Sequence, residues 1–179
     1  NTNDPSAPGT MIVPESHDEE VSAYTITGIA GKKNFSAINL HKDRMNSQIG
    51  FCRDVLDVLA ENGICIEHMP SSIDSMTVII DSKHMSGKQD EILTQIRKRV
   101  KPDDMYVEEG IALVAVVGRG MRRTRGTAAR IFAALAHARI NVKMIDQGSS
   151  ELNIIVGVNE EDFEQAVRCI YDIFVTAAE

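Results

Sequence analysis

Residues 44–69, RMNSQIGFCRDVLDVLAENGICIEHM, and residues 120–145, GMRRTRGTAARIFAALAHARINVKMI, are two copies of one unit. Sliding the chain by 76 positions sets Gly50 on Gly126, Met45 on Met121, Val55 on Ile131, Leu59 on Leu135, Ile64 on Ile140 and, farther on, Val78 on Ile154. A repeat of this length marks a supersecondary unit used twice, so one copy can be read against the other. In the first copy Val55, Leu56, Leu59 and Ala60 form a helical stripe, and Asn62-Gly63 is placed to cap it.

Working outward, each copy predicts strand, loop, helix, strand, strand, helix. FSAINLH (35–41) precedes the first loop; CIEHM (65–69) and MTVIID (76–81) follow its helix, joined by the turn PSSIDS. GKQDEILTQIRKRV then places Ile92, Ile96 and Val100 at helical spacing, Pro102 stops it, and DMYVEEG supplies a short final strand. The second copy runs ALVAVVG, TAARIFAALAHA, INVKMID, ELNIIVGV and EDFEQAVRCIYDIFV. By the repeat register its last strand would start near position 181, past Glu179, whereas VSAYTITGI (21–29), set off by the turn AGKKN, has no partner in the first copy. The expectation is that VSAYTITGI completes the second sheet, so that the first module is inserted within the second. Each module is then a βαββαβ sandwich of the α+β class, a four-stranded antiparallel sheet with two helices on one face. The implied divisions are a Pro- and acid-rich linker at 1–20, a first module at 35–110, and a second built from 21–34 plus 111–179.

Composition narrows the function. With 43% hydrophobic and 25% charged residues the chain is globular, and its net charge of −7 argues against nucleic acid as a partner, because such affinity rests on clustered Lys and Arg. No apolar run reaches the roughly 20 residues a membrane helix needs. Cys52, Cys65 and Cys169 are scattered, with no CxxC pair and no secretory h-region before them, which reads as reduced thiols in a cytoplasmic protein.

The glycine loops invite a nucleotide reading that their spacing does not support. Gly31-Lys32-Lys33 puts a lysine where a P-loop needs a hydroxyl, and Gly118, Gly120 and Gly126 leave five residues in the second gap of the would-be GxGxxG. His17, His41, His68, His84 and His137 show no HExxH or i, i+4 pairing, so a metal site is not expected. No catalytic constellation appears, and the acids at 159–162 suit a helix N-terminus.

The two copies differ most at the loop and the strand facing it. The first has an uncharged loop, Met45-Asn46-Ser47-Gln48, opposite Glu67 and the hydroxyls of Ser71 and Ser72; the second has Arg122, Arg123 and Arg125, with Lys143 at the register of Glu67. Unpaired N–H groups at a helix start favour a carboxylate and a nearby acid favours an ammonium, and a free amino acid carries both. The competing reading is that Glu67 simply alternates outward and Ser71-Ser72 make a turn.

These features together, FSAINLH before the Gly50-Phe51 loop, the strand pair around IEHMPSSIDS, the later DQGSSELNI and an opening NTNDPSAPGT, resemble the tandem ACT domains of aspartate kinase, with the opening resembling the end of that family's catalytic domain. The Lys-Phe-Gly-Gly motif that begins the kinase domain is absent. The resemblance implies two ferredoxin-like ACT modules, the first inserted within the second, acting as the regulatory region of a kinase. It implies feedback inhibition by a pathway end product, lysine rather than threonine, held by Met45, Gln48, Ile49, Gly50, Phe51 and Cys52 on the loop and helix start, Ile66 and Glu67 on the strand, and Ser71 and Ser72 on the turn. It further implies pairing through the first module as a homodimer, coupling to the chain's own kinase domain, no cofactor in this region, and ATP with magnesium in the parent enzyme. Two positions depart from the lysine-sensitive pattern, Glu67 where an Asp is usual and Ile73 where an acid can stand. The alternative is a structural, dimerising ACT pair that binds no ligand.

Overall fold

The structure, a computed structural model, describes Ser6 and residues 25–175. The linker at 1–20 (Ser6 apart) and residues 21–24 of VSAYTITGI lie outside the described residues. The elements in chain order are β1 (Gly28–His41), α1 (Phe51–Glu61), β2 (Ser75–Asp81), α2 (Gln89–Val100), β3 (Asp104–Val117), α3 (Thr127–His137), β4 (Met144–Asp146), β5 (Asn153–Asn159) and α4 (Phe163–Val175). The strands form one antiparallel sheet in the order β2-β1-β3-β5-β4.

Two modules share this sheet because β1 and β3 each run through both. The second half of β1 pairs with β2 (Phe35↔Asp81 to His41↔Ser75) and with the first half of β3 (Ala37↔Glu108 to His41↔Asp104). The first half of β1 pairs instead with the second half of β3, Gly28↔Val117 to Lys32↔Leu113, and that half of β3 continues the pairing to β5. The segment before the first module thus hydrogen-bonds into the sheet of the second, giving two ferredoxin-like folds with the first inserted in the second.

Two expectations are corrected here. FSAINLH is not a separate strand after a turn at AGKKN; both belong to the 14-residue β1, and DMYVEEG likewise merges with ALVAVVG into the 14-residue β3. The turn signals are real, but they produce bulges. Asn34 (φ 69°) and Gly110 (φ 70°) sit at the crossing, where the β1/β3 register shifts between Lys32 and Phe35 and again before Ala37. CIEHM is not a full strand: among residues 65–72 only His68↔Ile79 and Ser71↔Met76 form bridges, an irregular edge along β2.

Alternation along the strands separates three clusters. Ile38, Leu40, Val78 and Ile80 meet Val55, Leu59, Ile92 and Ile96 of α1 and α2. Val114, Val116, Ile154 and Val156 meet Ile131, Leu135 and Ile170 of α3 and α4. The residues between them, Phe35, Ala37 and Ile79 from the first module with Ile111, Leu113 and Met144 from the second, form a third cluster joining the helix-free faces. Each fully buried side chain of this kind contributes about 1.5–3 kcal/mol.

Candidate functional site

The duplicated loops differ in backbone, the first entering its turn through left-handed Arg44 and the second through extended Gly118, but they end alike. A 3-10 turn, Met45–Ser47 in the first and Arg119–Arg122 in the second, buries Met45 or Met121, and the helix then starts behind a glycine cap: Gly50 at φ 85°, ψ 0° and Gly126 at φ 85°, ψ 2°. A glycine cap has no side chain to accept from the first-turn N–H groups, and neither α1 nor α3 has a side-chain cap; Gly50 O accepts from Asp54 N–H at 2.9 Å, and Phe51 N–H donates to Gln48 O at 3.3 Å. Both helix starts therefore present N–H donors behind the same glycine cap, on loops that enter it differently.

Around Gly50 the chain is held by the turn that follows the edge segment. Asn46 N–H donates to Ile73 O at 3.1 Å, Lys42 N–H to Asp74 O at 2.8 Å, and Arg44 N–H to Asp74 Oδ1 at 2.9 Å. The turn is closed by Ser72 N–H to Ser75 O (2.7 Å) and by the Ser72 and Ser75 hydroxyls, 2.7 Å apart. These bonds put the loop beside the Ser71-Ser72 turn.

The remaining expected residues are placed unevenly. Met45 and Phe51 are buried in the first core, so their side chains serve packing and their backbone is what a ligand could meet. Cys52 is half-buried, Gln48 exposed, and Ile49 fully exposed. Ile49, Ile66 and Ile73 make three exposed isoleucines on the loop, the edge segment and the turn. Glu67 is exposed; its N–H donates to Ile79 O at 2.9 Å, and its carboxylate acts at a distance on Lys32. Among the described residues no hydrogen bond or ion pair joins the Glu67 side chain to the Gly50 loop.

Elsewhere the structure assembles groups that spacing does not announce. Asp81, at the end of β2, accepts from Lys32 Nζ (2.9 Å), Lys83 Nζ (3.0 Å) and Lys83 N–H (3.2 Å); the lysine hydrogen bonds hold its carboxyl far below the usual carboxylate range, and Asp81 in turn raises Lys32. His41, Asp43 and Asp103 gather at an exposed sheet end, with ligand atoms within 4.8 Å of one another. Asp103 is already engaged there by Asp43 N–H (2.7 Å) and Lys42 Nζ (3.1 Å), which lower its pKa in that order. Across the module junction, His68 Nδ1 lies 2.7 Å from Asp146 Oδ2 and Lys143 Nζ bonds Glu108 Oε1. Ser71 and Ser72 line a cavity of about 270 Å³ at that junction. Among the described residues no helix is long and apolar enough to cross a membrane.

A family model described as an ACT domain matches residues 114–174, the second of the two modules. The chain is 39% identical over 175 residues to aspartokinase 3 of Bacillus subtilis, covering 97% of itself and 38% of that protein. It superimposes on the crystal structure of Clostridium acetobutylicum aspartate kinase with a TM-score of 0.90 at 49% identity, covering 97% of itself and 40% of that chain. Escherichia coli aspartokinase III, solved in complex with lysine and aspartate in its T-state, gives a TM-score of 0.72 at 25% identity, over 97% of this chain and 38% of that one. Fold, duplicated loop and family match together define a tandem ACT-domain protein. It belongs with the aspartate kinases, of which it is the regulatory region, spanning about two fifths of the length of these relatives.

Proposed function

We propose that this region senses a free end-product amino acid, lysine rather than threonine, and passes the signal to the kinase domain of its parent as feedback inhibition of aspartate phosphorylation. The observation that carries the reading is the uncapped start of α1 behind Gly50, bonded beside the Ser71-Ser72 turn. In this reading the backbone around Gly50 and Phe51 receives the effector carboxylate, the Cys52 N–H first since Phe51 N–H donates to Gln48 O at 3.3 Å, Gln48 and Ser72 border it, and the Glu67 carboxylate takes an amino group once loop and edge segment close. The complex of Escherichia coli aspartokinase III with lysine supports lysine as the first candidate. ATP and magnesium belong to the phosphoryl transfer of the parent enzyme, not to this region.

Inhibition requires that the effector bind one of two arrangements more tightly, since it shifts the equilibrium only by its differential affinity. The exposed Ile49, Ile66 and Ile73 offer apolar surface that a second copy would cover, which supports a homodimer formed through the first module as the second arrangement. The module divisions proposed for this function are 35–110 for the sensor and 21–34 plus 111–179 for its companion. Calorimetry with L-lysine and L-threonine on the wild type and on Glu67→Gln tests the reading. A lysine affinity at least about 10-fold lower in the variant, with unchanged melting, is the expected result. Equal lysine affinity removes Glu67 from the site, and a wild type that binds neither amino acid leaves the alternative, a dimerising pair without ligand, which the core packing of Met45 and Phe51 would then explain.

A further inference from the structure

The second copy of the loop carries positive charge that the described residues leave unpaired. Arg122, Arg123 and Arg125 follow one another closely and are all exposed. From Gly110 to Ile145 the sequence holds no Asp or Glu, and α3 has no acid in its first turn, whereas α1 has Asp54 there. Among the described residues none of these three arginines forms an ion pair. Glu151 stands at the same end of the sheet, beside Leu152, whose carbonyl accepts from Gly118 N–H at 2.9 Å, and it does not pair with them either.

The chain brings an acidic run of its own to this place. Thr27 N–H donates to Val117 O at 2.8 Å, and just upstream the backbone crosses Gly118 so closely that a Cβ there would lie 2.4 Å from Thr25 O and 2.5 Å from Ile26 Cα. Gly118 immediately precedes the Arg119–Arg122 turn, so Thr25 lies at the entry to the basic loop. Five residues before Thr25 comes Glu20, preceded by Glu19, Asp18 and, past His17 and Ser16, Glu15. Extended chain covers at most about 3.5 Å per residue, which lets Glu20 reach roughly 17 Å from Thr25 and Asp18 roughly 24 Å. The Arg119–Arg122 turn rises only about 2 Å per residue, so the arginines stay near Gly118 and inside that reach.

We infer that the Arg122–Arg125 loop is a docking surface for the chain's own acidic segment, Glu15 and Asp18–Glu20. One exposed ion pair is worth little and is screened by salt, but a tethered segment meets its partner at an effective concentration near the millimolar range, and several acids against three arginines act as a network. The duplicated loops then divide their roles by charge. The uncharged first loop stays open to a free ligand, and the basic second loop is closed in cis. Residues 1–20 are the linker toward the parent's kinase domain in the function proposed above, so the contact sets the direction in which the second module holds that domain. It does not depend on an amino acid binding at the Gly50 loop.

The test uses the full chain and a variant carrying Glu15→Gln, Asp18→Asn, Glu19→Gln and Glu20→Gln. At low salt, trypsin cleavage after Arg122, Arg123 and Arg125, followed by mass spectrometry, should run at least about 5-fold faster in the variant, and the wild type should reach the variant's rate at high salt. Cleavage after Lys88, an exposed loop residue of the first module, should stay within about 2-fold, which separates local release from unfolding. A peptide of residues 13–22 added in trans should bind the variant at least about 10-fold more tightly than the wild type, whose own segment holds the loop. Equal cleavage at the arginines in the two chains, or equal peptide affinity, overturns the docking. Protection of the arginines by inorganic phosphate that is the same with and without the acids identifies an external anion as the occupant and overturns it as well. Lysine calorimetry on both chains should agree within about 2-fold, so the Gly50 reading stands or falls separately.

Discussion

Gly50→Ala and Gly126→Ala are matched perturbations, because the repeat puts both glycines at φ 85° with ψ within 2° of each other. An L-residue in this left-handed region costs about 1–2 kcal/mol, and the restriction alanine imposes on the unfolded chain adds to the loss no further term and offsets part of it, about 0.4–1 kcal/mol. A net destabilisation near ~1 kcal/mol is expected for each. The environments add little difference. A Cβ on Gly126 meets nothing within 4 Å, whereas one on Gly50 comes 3.1 Å from Arg53 Nη2, the far end of an exposed side chain that can move away from its partner Asp54. Gly148→Ala serves as the control: its Cβ would meet only Ser150 Oγ at 3.9 Å, and no left-handed φ is involved. Urea unfolding followed by far-ultraviolet circular dichroism should show lower midpoints at unchanged slope for both cap variants, and melting should fall by roughly 2–4 °C per kcal/mol for a chain of this size. Gly50→Asn should recover part of the loss, since Asn tolerates this conformation best among side-chain-bearing residues. If Gly50→Ala proves as neutral as the control, or if the two cap variants differ by more than about 1 kcal/mol, the equivalence of the loops is not energetic.

The other predictions concern ionisable groups. Asp81 has its carboxyl pKa depressed by Lys32 and Lys83, so the stability it supplies is fully present above the unfolded value of about 3.9 and drains away as pH falls below it; Asp81→Asn should therefore flatten the loss of melting temperature below about pH 4, and an unchanged acid slope would refute the pairing. Thiol labelling at pH 8 should proceed fastest at exposed Cys65 and slowest at Cys169, whose pKa is raised by burial and whose Sγ donates to Ala166 O at 3.3 Å; equal rates at the two would contradict the packing of α4.

The insertion of one module within the other is carried by Gly28–Lys32, which pair with Leu113–Val117 ahead of the first module; of VSAYTITGI only Gly28 and Ile29 take part in this ladder, and the rest of it falls on the stretch AGKKN that reads as a turn. The helices were legible for a local reason, the stripes of Val55 and Leu59, Ile92 and Ile96, Ile131 and Leu135, all of them buried. The junction was not legible, because turn-forming residues report a local positive φ and not a change of direction. At AGKKN and at Glu109-Gly110 the ladders on both sides keep going, and the long β1/β3 ribbon absorbs the left-handed residue as a bulge. The same continuity hid the cavity, since Asn39, Thr77, Glu108 and Lys143 share no sequence period and meet only after the ribbon bends. For the candidate effector site the loop and turn could be named from residue types, but Glu67 depended on a strand that the structure renders as an irregular edge with two bridges. An edge of that kind has few ladder bonds to break when it shifts toward the Gly50 loop, so the departure from a regular strand is compatible with a segment that must move to grip its ligand.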